Sequence, residues 1–89
     1  MTAALVLEIR LYETVSRAGL RAAERDLAVD LCREVVGMVP DLGLPHRGRT
    51  ARTAVQLLLS QTLPGLERSV RDDLARLCEV AVVRGVQTP

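Results

Sequence analysis

Apolar residues recur at three- and four-residue spacing along most of this chain, and the breaks in that pattern divide it into four stretches. From Leu20 the pattern is most regular. Leu20, Ala23, Leu27, Leu31, Val35 and Met38 trace one helical face, with Arg21, Arg25, Asp26, Asp30, Arg33 and Glu34 on the others. Gly37 weakens the last turn of this helix, and Pro40, which has no backbone donor, ends it. A third helix is predicted from Ala51 to about Leu63, capped by Thr50 or Gly48, with Val55, Leu58, Leu59 and Thr62 facing inward and Leu57 at the border. Pro64 suits the first position of a fourth helix, where the donor it lacks would have no partner anyway. Leu66, Val70, Leu74, Leu77 and Ala81 form the apolar face of that helix, backed by Cys78, and Gly85 is its expected C-cap. Ser69 and Asp72 also match a capping box, so the start can shift to Ser69.

The first stretch reads two ways. Leu5, Leu7, Ile9 and Leu11 alternate as a strand requires, whereas Leu5, Ile9, Tyr12 and Val15 keep helical spacing. Its richness in Ala, Leu, Glu and Arg decides for a helix over residues 3–17, with Thr2 as N-cap. The run Val80, Ala81, Val82, Val83 is β-branched, which gives an α+β alternative with terminal strands 4–12 and 78–86 paired. The predicted fold is therefore all-α: one domain over residues 1–89, about four helices in two helical hairpins, a central turn at 40–50 and a frayed tail at 86–89. Glu13 with Arg17, Glu67 with Arg71, Arg68 with Asp72 and Asp72 with Arg76 have the spacing of helical ion pairs.

Composition changes this picture in one respect. The chain has 89 residues, 48% of them hydrophobic, with no Phe or Trp and Tyr12 as its one aromatic. A domain of this size hides roughly 60–65% of its unfolded surface, and a core built from Leu, Val and Ala buries less area per residue than one with rings. Apolar surface should remain after folding, and a second copy or a helical partner would cover it. The first helix, apolar on more than one side, is the expected interface, through Leu5, Ile9, Tyr12 and Val15.

Charge adds a second candidate. The net charge is +1, too small for a protein coated in nucleic acid, and all twelve basic residues are arginine. Residues 1–45 hold seven acids and five arginines, a balance of −2; residues 46–89 hold four acids and seven arginines, a balance of +3. Between Asp41 and Glu67 there is no acid, and Arg47, Arg49 and Arg52 fall there with Thr50 and Thr53. Arginines and hydroxyls at a helix start suit phosphate oxygens, so these five residues form a candidate anion- or nucleic-acid-binding site.

Catalytic chemistry finds little footing. His46 is the single histidine and has no serine or cysteine within a few residues. Asp72 and Asp73 are adjacent and diverge on a helix; Asp26 and Asp30 share a face but have no third ligand. No catalytic residue, metal ligand or cofactor is expected. Cys32 and Cys78 are too few for a disulfide framework and are read as buried free thiols, with a bridge between the two helices as the alternative. No secretory signal or membrane-spanning run is evident, and the chain is read as intracellular and cytoplasmic. The expected function is non-catalytic: a regulatory or scaffolding protein acting by homodimerisation or by binding a helical partner. The alternative is nucleic-acid binding through Arg47, Arg49 and Arg52.

Overall fold

The computed structural model describes residues 2–85. Four α-helices follow one another: α1 Ala3–Ser16, α2 Ala22–Met38, α3 Arg47–Thr62 and α4 Arg68–Arg84, with a 3-10 turn at Val39–Leu42 between α2 and α3. Residues 4–12 and 78–84 are helical, so the paired-strand alternative does not form, and the predicted tail at 86–89 lies outside the described residues.

The helix ends have local causes. Thr2 is the N-cap of α1, its Oγ1 accepting from the Leu5 N–H at 3.1 Å. At the start of α2 the Glu24 carboxylate accepts from the Arg21 N–H at 3.1 Å, satisfying one orphan donor. Gly85 closes α4 at φ 73°, a left-handed conformation that a residue without Cβ adopts freely.

Three boundaries differ from the reading of the sequence. The central turn is shorter than 40–50, because α3 begins at Arg47 rather than Ala51, after His46 at φ 56°. Gly48 is consequently no cap but a buried residue in the first turn of α3. A Cβ there would lie 2.7 Å from Val83 Cγ2 and 3.2 Å from Glu79 Cγ, so the missing side chain lets α3 press on α4. Pro64 is not the first residue of α4. It sits in a turn whose flanking residues, Leu63 and Leu66, are both buried, and the Leu66 N–H donates to the Leu63 carbonyl at 3.0 Å; burying both leucines holds the chain out of helix until Arg68.

α2 and α4 form the inner pair. Each packs against the other three helices, α1 and α3 lie against that pair, and the α3–α4 hairpin is the most extensive contact. The domain is flattened, 34 × 29 × 18 Å, as two layers of helix require. Its core consists of Leu, Val, Ala and Cys, and Leu11, Leu59 and Leu74 are the largest of the side chains sealed from solvent almost completely. No polar or charged residue among those described is buried.

The buried stripe of α2 is the main correction to the predicted packing. Ala28, Val29, Cys32, Val35 and Val36 face the core, whereas Leu27 is 45% and Met38 53% exposed. Only Val35 of the predicted face lies in the core, and Leu20 and Leu31 pack at its margin. In α3 the stripe is Gly48, Ala51, Val55 and Leu59, and Leu57 and Leu58 are exposed. Helical spacing picks out the other stripe because both helices carry apolar residues on two sides; α2 turns its smaller residues inward, where close approach to α4 buries more.

Cys32 and Cys78 are free and fully buried, and the Cys78 thiol donates to the Cys32 carbonyl at 3.9 Å. The hydrogen bond to Cys78, and then burial, hold the Cys32 thiol well above the usual thiol range. Native protein is therefore expected to resist iodoacetamide at pH 8 and to react at both cysteines once unfolded by guanidinium. Rapid stoichiometric alkylation of the native chain would show that the α2–α4 contact opens.

Candidate interaction surface

Side chains at the edges of the bundle decide which surface remains for function. Arg17 Nη2 lies 2.6 Å from Asp73 Oδ2 of α4 and so ties the end of α1 to α4, in place of the predicted Glu13–Arg17 pair. Arg33 lies 3.4 Å from Glu8 and 3.9 Å from Asp30, and the Tyr12 hydroxyl donates to Asp26 Oδ1 at 3.0 Å, joining α1 to α2. That bond raises the Tyr12 phenol pKa above its usual value, with burial and the charges of Asp26, Asp30 and Glu8 acting in the same sense. Whatever the bond contributes is present below about pH 10 and is lost as pH rises through the raised value. Of the predicted pairs on α4, Arg68–Asp72 forms, at 3.8 Å. Arg71 donates to Ser60 at 3.0 Å and Asp72 accepts from Gln56 at 3.3 Å, so these two side chains reach across to α3.

The predicted interface residues divide into two sets. Leu5, Ile9 and Tyr12 lie on the outer side of α1, 44%, 40% and 36% exposed, together with Val6; Val15 is fully buried and belongs to the core. The reason is rotation: Leu7, Leu11 and Val15 form the inward stripe, and Leu5 and Ile9 sit on the opposite side of the same helix. Tyr12 stands at the α2 edge, turned to Asp26.

On the α4 edge the exposed face of α1 runs into a groove of about 910 Å³ between α1 and α4. Its apolar lining comes from Ala3, Val6 and Leu7 on α1 and from Leu77, Val80 and Ala81 on α4. Its charged lining is Arg10, Arg76 and Arg84; no acid lines it, and none of the three has a carboxylate within 4.0 Å among the described residues. An apolar trough between two helices with cations on its rim has the form that accepts a further helix. Reading the sequence alone missed Arg10, Arg76 and Arg84, which sit 74 residues apart at the extremes and share no local motif. Their proximity comes from α1 packing on α4.

The basic group of the second candidate is spread around the start of α3. Arg47 and Arg49 are exposed in the first turn, Thr53 is exposed, and Thr50 is half-buried. Arg52 lies 3.5 Å from Glu79 of α4. Arg52 and Thr53 also border shallow clefts of about 330 and 270 Å³, each of which includes Asp72. His46 is exposed and both cysteines are sealed in the core, so neither thiol is placed against the imidazole. Among the described residues no group of three or more His, Cys, Asp or Glu side chains is placed to hold a metal ion, and no helix is long and apolar enough to cross a membrane.

Fold and surface together define an all-α four-helix protein with a basic-rimmed apolar groove. Comparison of the chain with protein-family models, with curated proteins and with solved structures finds no match.

Proposed function

We propose that this is a non-catalytic interaction protein that acts by binding a helix, from a second copy or from a partner, over the outer side of α1. The observation that carries this reading is the row Leu5, Val6 and Ile9, which points away from the core and continues into the α1–α4 groove beside exposed Val80. Apolar residues gathered on one side of a small domain are the expected mark of a contact surface. Two free, buried thiols suit a reducing compartment, and we place its action in the cytoplasm.

Two measurements test the reading: molar mass by light scattering over a wide concentration range, and titration of a labelled synthetic amphipathic helix. The chain should either self-associate or capture the peptide. Ile9→Glu, on an exposed position that the fold does not need, should weaken whichever occurs by roughly tenfold or more, the equivalent of losing one buried aliphatic side chain. A monomer that captures no helix would sink the reading.

Nucleic-acid binding through Arg47, Arg49 and Arg52, with Thr50 and Thr53, stands second because Arg52 already faces Glu79. A duplex shifted at low salt by the wild-type chain and not by Arg49→Ala would move it to first place.

A further inference from the structure

Two surfaces of this chain match each other better than either matches itself. We propose that the outer face of α2 in one copy seats in the α1–α4 groove of the next, so that the protein assembles head to tail. This deepens the helix-binding reading above, on which it rests, by naming the helix that binds.

The outer face of α2 is the one that helical spacing assigns to the core. Ala23, Leu27 and Met38 are exposed on it and Leu31 is half-buried, and Asp30 and Glu34 lie along the same side. Asp30 is held only loosely, 3.9 Å from Arg33, and Glu34 has no cation within 4.0 Å among the described residues. α2 thus presents a second apolar stripe with acids beside it, exposed at Ala23, Leu27 and Met38. The groove offers the opposite: an apolar floor of Val6, Leu77 and Val80 under three arginines.

The charges also set the geometry. Arg76 and Arg84 are eight residues apart on α4, about 12 Å along the axis, and Arg10 stands on the other wall. Asp30 and Glu34 span about 6 Å on α2, so both carboxylates fit within the length of the rim. Pairing groove with groove would bring six guanidinium groups together, and pairing two α2 faces would bring Asp30 and Glu34 of each copy together. Both isologous contacts are opposed by like charge. Groove against α2 is the heterologous contact that the charge pattern favours.

The test is charge reversal in two full-length variants, Arg10→Glu with Arg84→Glu, and Asp30→Arg with Glu34→Arg, each checked for folding by circular dichroism. All four positions lie outside the core, so the fold should persist. Sedimentation equilibrium should show wild type gaining mass with concentration, and each variant should need about tenfold higher concentration for the same mass. An equimolar mixture of the two variants should recover association, since one joint is then native and the other reversed. Added salt should weaken all of it. The proposal falls if wild type is monomeric up to about 1 mM, if the mixture associates no better than its components, or if only one of the two faces matters. A monomeric wild type that still captures the synthetic helix would sink the head-to-tail joint and spare the helix-binding reading; one that captures nothing would sink both.

Discussion

Leu74→Ala should lower the melting temperature by roughly 12–24 °C, the shift that about 3 kcal/mol produces in a domain of this size. Leu74 is fully buried in α4, the helix that together with α2 contacts every other helix. Truncating it removes apolar area and leaves a cavity that the surrounding core would have to collapse to fill. With no aromatic ring in the core, few large side chains are available to move into that space. The total stability expected for such a chain is about 4–13 kcal/mol, so the loss is a large share of it. Leu57→Ala is the control: Leu57 is 59% exposed, and its truncation should change stability by no more than about 0.5 kcal/mol. Equal melting temperatures for the two variants in a thermal scan would show that the core is not centred on α4.

The second large effect discriminates between the two apolar faces of α2. Val29→Asp should leave the chain unfolded at 25 °C, because an unpaired carboxylate at a site with no solvent access costs several kcal/mol. Leu27→Asp, two positions earlier, should keep native ellipticity and a melting point close to wild type, since Leu27 reaches solvent. The spacing of Leu20, Ala23, Leu27, Leu31, Val35 and Met38 predicts the reverse order. Ellipticity and melting of the two variants therefore read out directly which stripe of α2 is inside.

Much of the architecture was legible because it rests on local chemistry. Pro40 ends α2 within two residues of where its missing donor predicts, Thr2 and Gly85 cap as their side chains and φ preferences require, and the Leu, Val and Ala composition dictated a ring-free core. The start of α3 was read four residues late, because Gly48 looks like a cap in isolation and is in fact the close-approach point between α3 and α4. Of the candidate surface, Leu5, Ile9 and Tyr12 could be read from helical spacing, whereas Val15 was misplaced by one stripe. The arginines of the groove had no sequence signal at all. Arg10 and Arg84 belong to opposite ends of the chain, and Arg17 with Asp73 shows the same effect, an ion pair that forms across helices rather than along one.

By itself the sequence determined the number of helices, their main breaks and the kind of side chain that fills the interior, because each of these follows from backbone donors, φ preferences and hydrophobic period within a few residues. Only the tertiary structure decided which side of α2 and α3 is buried and which charged groups meet over the α1–α4 groove. A helix with two apolar stripes satisfies its own spacing either way; the stripe that goes inside is the one whose smaller side chains let a neighbouring helix come closest, and that neighbour is far away in the chain.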